Sequence, residues 1–138
     1  MYRKKSLILE IYQKVQKSKD LAFVQKDFYA YTKDQDQVNR ALRKLAADKV
    51  LIRIGKGAYS KARFSRISNK YVPAGGIINS GRQVLKKFGI KTFPSSFDIA
   101  YNKGESTQVP TGRVIGVNRR ISRELSFNGI SLKYERVK

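Results

Sequence analysis

Two stretches near the start of the chain repeat apolar residues with the spacing of a helix that buries one side. One spans residues 6–16, and the other begins at either of two candidate N-caps, Thr32 or Asp34. The apolar positions of the second stretch fall at i, i+3, i+4 and i+7, namely Val38, Ala41, Leu42 and Leu45. The pattern predicts two amphipathic helices that pack on a common core.

A shorter helix is predicted between these two, at residues 25–30. Asp27 falls in its first turn, where the helix dipole favours a carboxylate. Phe23 and Phe28 lie on either side of that turn and are expected to be buried against the first helix. The chain therefore begins with three helices in close succession.

The third helix is followed by a predicted β-hairpin. Apolar runs at residues 50–54 and 58–60 are separated by Gly55-Lys56-Gly57, which favours a tight turn. Three helices and then a basic hairpin is the element order of a winged helix-turn-helix, whose third helix enters the DNA major groove. An ordinary surface helix followed by a hairpin would produce the same pattern.

The second half of the chain predicts helices and then strands. A basic segment at residues 62–73 ends at Pro73 and paired glycines, which disfavour a regular element. A helix is predicted at residues 77–88, ended by Gly89, and Ser95 or Ser96 is placed to cap a short helix.

Three alternating stretches predict strands at residues 113–117, 121–127 and 130–134, and Asn128-Gly129 favours a type I′ hairpin turn. Together the elements predict an α+β protein with three parts. These are an N-terminal winged helix-turn-helix at residues 1–61, a basic connector at residues 62–73, and a small helix-plus-antiparallel-β-meander module at residues 74–138.

The charge of the chain indicates a polyanionic partner. It holds 30 Lys and Arg residues against 10 Asp and Glu residues, a formal net charge of +20 over 138 residues, and both halves are basic. Such an excess favours nucleic acid first, and an anionic membrane or an acidic protein after that. A surface charged only for solubility usually stays nearer neutral.

Composition also narrows the chemistry. The chain has no Cys and no His, which argues against structural zinc, thiol nucleophiles and histidine acid–base catalysis. Ser106 and Thr107 have no base at a suitable spacing, so no enzyme, cofactor or metal site is predicted. No apolar run approaches the roughly 18 residues of a membrane span, and the basic start lacks a signal-peptide core. The expected location is the cytoplasm, at the nucleoid of a bacterium.

The third predicted helix carries the candidate base-reading residues. In a helix-turn-helix its N-terminal part meets the bases, and here that part holds Gln35, Gln37, Asn39 and Arg40. The residues predicted to contact the DNA backbone are Arg43, Lys44, Lys56, Lys61, Arg63, Arg66, Arg119 and Arg120. A solvated surface is an equal alternative for Arg119 and Arg120, which lie in a turn near Arg123.

Three motifs resemble the winged-helix domain of AbiEi-type antitoxins and their short relatives. They are F-x-x-x-D-F at residues 23–28, V-x-x-A-L-x-x-L at residues 38–45 and I-R…G-x-Y at residues 52–59. Ser106-Thr107-Gln108-Val109-Pro110 is similar to a stretch that precedes the terminal meander of those relatives. The chain departs from the pattern at Val24, where the family has a capping Ser or Thr, and at Lys49, where it has Gly. A left-handed lysine there would cost about 1 kcal/mol.

The resemblance implies a sequence-specific double-stranded DNA-binding protein that represses its own operon, as a monomer or a homodimer. It also implies an antitoxin-like role against a nucleotidyltransferase-type toxin. Two alternatives are an RNA- or ribonucleoprotein-binding protein and a winged-helix adaptor for protein interactions. The scattered aromatic residues do not form the stacking platform of an RRM-type RNA-binding domain, which favours DNA over RNA.

Overall fold

The computed structural model describes residues 6–104 and 113–137, and within these ranges the protein has the predicted α+β class, with four α-helices. None of those helices is long and apolar enough to cross a membrane. The elements in chain order are α1 (Leu7–Lys17), β1 (Ala22–Val24), a 3₁₀ turn (Gln25–Phe28), α2 (Gln35–Ala47), β2 (Leu51–Gly55), β3 (Ala58–Ser65), β4 (Lys70–Pro73), α3 (Gly76–Lys87), β5 (Thr92–Phe93), α4 (Ser96–Asn102), β6 (Val114–Val117), β7 (Ser126–Phe127), β8 (Ile130–Ser131) and β9 (Lys133–Arg136). Residues 106–110, which carry part of the predicted resemblance to the antitoxins, lie outside the described residues.

A side-chain cap marks the start of each of the two early helices. Ser6 accepts a hydrogen bond from the Leu9 N–H, and Asp34 accepts from the N–H groups of Asp36 and Gln37. Of the two candidate starts for the third helix, Asp34 is the N-cap, and the Thr32 hydroxyl instead accepts from the Asp34 N–H. Local hydrogen bonding therefore determines where α1 and α2 begin.

The second predicted helix is shorter than expected. Residues 25–30 were predicted as helix, but only the four-residue 3₁₀ turn forms. The Val24 side chain has no acceptor that could cap the start of this turn. Instead, the Val24 N–H donates to the Asp27 carboxylate (2.9 Å). Phe23 and Phe28 are both buried beside Ile11 of α1, as predicted.

A central antiparallel sheet has the order β1-β3-β2, and β4 pairs with the far end of β3. The pairing of β4 corrects the prediction for residues 62–73, which form the end of β3, a turn and β4 instead of an irregular connector. Arg63 and Lys70 fall on the same side of this two-stranded ladder and Arg66 lies in its turn, all of them exposed as they would be in a linker. The strand β1 was not predicted, because three residues are too few for a periodic signal.

The sheet separates two hydrophobic clusters. On one side Phe23, Leu51 and Tyr59 pack with the buried positions of α1 and α2. On the other side the neighbouring strand residues, among them Ala22, Val24, Ile54 and Ala58, pack with Val84, Leu85, Ile115, Val117, Leu125 and Leu132. Residues from both halves of the chain therefore form the second cluster, and the change of elements near residue 74 does not separate two cores.

The C-terminal strands differ from the predicted meander. β6 pairs antiparallel with β5 but parallel with β9, and β7 and β8 form a separate hairpin. Residues 121–125 were predicted as strand but join no sheet. Their alternation is explained by burial, since Leu125 is fully buried in the second cluster. The Asn128-Gly129 turn is confirmed, with positive φ at both residues (53° and 81°) as a type I′ turn requires.

An ion pair joins α3 to the N-terminal elements. The ammonium of Lys87 lies 2.7 Å from the Asp27 carboxylate and 3.0 Å from that of Asp20, and 4.9 Å from the centre of the Phe23 ring. The Lys87 and Asp27 side chains are only 17% and 20% exposed. Because water screens such a pair poorly, it holds α3 against the 3₁₀ turn more firmly than a surface ion pair would.

We predict that Lys87→Met lowers the free energy of unfolding by about 2 kcal/mol, because the half-buried Asp27 carboxylate loses its cation. The matched control is Lys86→Met, which changes the adjacent exposed residue of the same helix. Urea unfolding of both variants measures the difference. Equal stability of the two would show that the ion pair contributes nothing.

The helices α2 and α3 end in the same C-terminal motif, with different residues at the left-handed position. After α2, the N–H groups of Lys49 and Val50 bond to the carbonyls of Ala46 and Leu45, and after α3 those of Gly89 and Ile90 bond to Lys86 and Leu85. The φ angles are 66° at Lys49 and 79° at Gly89. Lysine thus occupies a conformation that favours glycine.

We predict that Lys49→Gly raises the free energy of unfolding by about 1 kcal/mol, because glycine adopts this conformation without the Cβ clash. Lys49→Ala removes the charge but keeps the clash, and should leave stability unchanged. Gly89→Ala provides the reverse test, since a Cβ there meets nothing within 4 Å and only the backbone conformation opposes it. It should destabilise by a similar amount. A stabilising Lys49→Ala would assign the effect to charge.

Candidate nucleic-acid interface

The exposed side of α2 carries the most concentrated group of predicted site residues. Val38, Ala41, Leu42 and Leu45 face the core, so the residues between them face water. Gln37, Arg40, Arg43 and Lys44 are all exposed. We call these four residues the α2 surface. Within the described part of the chain, neither the Arg40 nor the Arg43 guanidinium has a hydrogen bond or an ion pair.

The Lys44 ammonium lies 3.2 Å from the Asp48 carboxylate, with both side chains about half exposed to water. Such an exposed pair at i, i+4 contributes little stability, because water and salt screen it. Lys44 can therefore leave Asp48 for another anion at small cost.

The other predicted base-reading residues do not share the α2 surface. Gln35 and Gln37 are two positions apart, so they project from nearly opposite flanks of the helix. Asn39 lies one turn after Gln35 on the same flank, and its side-chain oxygen is buried without a hydrogen-bond partner in the described residues. Asn39 is thus half-buried, whereas Gln35 and Gln37 are both exposed, on separate flanks of α2.

The β2–β3 hairpin presents Lys56 at its tip. Gly57 adopts φ 67°, and a Cβ at Gly57 would lie 3.3 Å from the Gln25 side chain, so the turn passes close to the start of the 3₁₀ turn. The Arg123 guanidinium donates to the Lys56 carbonyl (2.7 Å) and stacks over the Phe88 ring at 4.0 Å. These contacts hold the backbone of the tip while the Lys56 side chain stays exposed.

A second contact fixes Arg123 in turn. The Tyr134 hydroxyl donates to the Arg123 carbonyl (2.8 Å). Burial raises the pKa of the Tyr134 phenol, opposed by the positive charge of Arg123 and assisted by Glu124. The phenol therefore keeps its proton, and this hydrogen bond, throughout the neutral range. The hairpin tip is thus supported by the C-terminal half of the chain.

The remaining predicted backbone contacts are dispersed. The Lys61 ammonium donates to the Ser18 carbonyl at the end of α1, so it serves the fold and is only partly exposed. Arg63 and Arg66 are exposed on the β3–β4 hairpin. Arg119 and Arg120 are exposed in the bend after β6, which belongs to a different sheet from the β2–β3 hairpin.

Two charged residues outside the predicted set lie on α2 itself or on the side of the sheet that α2 covers. Asp36 is exposed at i−4 from Arg40 and so falls on the same row of α2. Arg53 is exposed on β2, where strand alternation gives it the same side of the sheet as Leu51 and hence as α2. The I-R…G-x-Y motif included Arg53, but only the pairing of β2 with β3 shows which side of the sheet Arg53 occupies.

Comparison with known proteins identifies a family. Residues 8–134 match the family described as "Family of unknown function (DUF6088)", so the chain belongs to that family. No curated protein and no solved structure matches the chain. The likeness to AbiEi-type antitoxins and the toxin partner it implies stay predictions from the three motifs.

Proposed function

We propose that this member of the DUF6088 family is a sequence-specific double-stranded DNA-binding protein that represses transcription of its own operon. In this proposal α1, the 3₁₀ turn and α2 form a helix-turn-helix, and the β2–β3 hairpin is its wing. The α2 surface enters the major groove, and Lys56 contacts a phosphate beside it.

The observation that carries the proposal is the pair of unpartnered guanidinium groups on the α2 surface. Arg40 and Arg43 are exposed on a helix whose opposite side is fully buried. Arginine is the side chain that most often reads guanine, through two parallel hydrogen bonds in the major groove. Gln37 on the same surface suits adenine, which can be recognised through its N6 and N7 atoms.

The support of the wing is consistent with a role in binding. Arg123 and Tyr134 hold the tip from behind, so Lys56 needs little further ordering when it meets a phosphate. The net charge of +20 adds the sequence-independent attraction that brings such a protein to DNA. An RNA-binding function has less support, since the aromatic residues are scattered along the sequence instead of being grouped as in an RRM-type stacking platform.

The test is an electrophoretic mobility shift at several salt concentrations. Three probes are compared, namely the duplex upstream of the protein's own gene, a random duplex of equal length, and a hairpin RNA. The proposal expects the upstream duplex to bind most tightly at every salt concentration, with all three affinities falling as salt rises. Equal affinity for the three probes would remove the repressor function, and preference for the RNA would favour the alternative.

We predict that Gln37→Ala and Arg40→Ala each relax the preference for one base pair of the upstream site by about 1–3 kcal/mol. Each loses a base contact and keeps the phosphate contacts. Affinities for a set of single-base-pair variants of the site measure the change.

Gln35→Ala is the matched control, because it removes the same group from the opposite flank of the same helix. It should leave the preference unchanged. If Gln35→Ala relaxes the preference and Gln37→Ala does not, α2 presents its other flank to the bases.

We predict that Lys56→Ala weakens binding to the upstream and random duplexes by the same factor. It also reduces the slope of log affinity against log salt by about 1, as expected for one lost phosphate contact. Lys103→Ala, which removes another exposed lysine at the end of α4, is the control and should change neither quantity. A change in base preference with Lys56→Ala would contradict its place as a backbone contact.

A further inference from the structure

The β3–β4 hairpin ends in a fully exposed apolar residue. We call residues 62–73 the β3–β4 arm. Its tip spans residues 66–69, and Ile67 within it is 100% exposed. Asn69 closes the turn with φ 58°, and the Ser68 N–H donates to the Ser65 hydroxyl (3.4 Å). Because the Ile67 side chain is not packed against other residues, its position contributes no hydrophobic stabilisation to the free protein.

The arm is ordered up to its tip. Four residue pairs are in register between β3 and β4, from Ala62 with Pro73 to Ser65 with Lys70. Phe64 and Tyr71 face each other across the ladder with ring centres 5.3 Å apart, in an edge-to-face arrangement. Such a cross-strand aromatic pair stiffens a two-stranded ribbon that would otherwise be marginal.

The arm is also strongly positive. Arg63, Arg66 and Lys70 are exposed along it, and the chain has no Asp or Glu between Asp48 and Asp98. Strand alternation puts Arg63 on the same side of the sheet as Tyr59, which packs with α1 and α2. The positive charge of the arm therefore lies toward the side of the sheet that carries the α2 surface.

The two hairpin tips lie at opposite ends of β3. This strand has eight residues, so the Lys56 tip and the Ile67 tip are separated by roughly 25 Å, about the length of seven base pairs. The connection from α2 enters the sheet between them, since Leu51 pairs with Lys61 near the middle of β3. A duplex bound by α2 would thus have one basic hairpin on each side.

We propose that the β3–β4 arm enters the DNA minor groove and that Ile67 inserts between two base pairs there, kinking the duplex. This inference rests on the proposed DNA-binding function. An apolar wedge presented by basic neighbours is the chemistry that unstacks a base step and bends DNA toward the major groove, by about 20–90°. Arg63, Arg66 and Lys70 neutralise the phosphates that the bend brings together.

The test is a DNA-bending measurement with the full-length protein. The upstream duplex, about 30 base pairs long, carries a donor dye at one end and an acceptor at the other. Wild-type binding should raise energy transfer above that of free DNA, because a kink brings the ends together. Ile67→Ser should abolish the rise, Ile67→Leu should retain it, and Ser68→Ala in the same turn is the control that keeps it.

The outcomes separate this inference from the proposed function. Ile67 has no contact in the fold, so its variants should fold, which circular dichroism and urea unfolding check. If Ile67→Ser still bends the duplex as the wild type does, the proposed insertion of Ile67 is wrong, while the proposal of sequence-specific binding stands. If the wild type binds the upstream duplex without raising energy transfer, the wedge is also wrong. If the wild type does not prefer that duplex to random DNA, the proposed function fails, and the wedge fails with it.

Discussion

The central sheet is apolar on both sides, and both sides must be covered by other elements to exclude water. This requirement determines how the helices and the second sheet are arranged. In β1, Phe23 faces α1 and α2 while Ala22 and Val24 face α3 and the second sheet. Without the second half of the chain, this side of the sheet would expose Val24 and Ile54, whose burial contributes about 1.5–3 kcal/mol each. The second half of the chain therefore buries apolar residues of the sheet that the first half forms.

The contact between the halves is close enough to require small residues. A Cβ at Gly75 would lie 2.7 Å from a methyl group of Leu21, and one at Gly55 would lie 2.7 Å from the Glu124 carbonyl oxygen. The second contact is next to the β2–β3 hairpin tip, where Arg123 holds the Lys56 carbonyl. The candidate interface thus belongs to the first half of the chain, but its hairpin takes its shape from the second.

Features that depend on near neighbours followed from the sequence. The helices α1 and α2 and the Asn128-Gly129 turn formed where apolar spacing, caps and turn chemistry predicted them. Part of the candidate site followed in the same way. The exposure of Gln37, Arg40, Arg43 and Lys44 on α2 results from helical periodicity, which needs only the identity of the buried side.

Only the tertiary structure decided the features that depend on distant partners. Residues 62–73 form a hairpin arm because β3 extends beyond its pairing with β2 and pairs with β4. Residues 121–125 bury Leu125 in the core without joining a sheet. Alternation is satisfied equally by a paired strand and by an extended buried segment, so the pattern could not distinguish them. The buried oxygen of Asn39 and the bond from Lys61 to Ser18 likewise depend on surfaces assembled from distant residues. Sequence determined which residues are helical and charged, and packing decided which of those charges remain free.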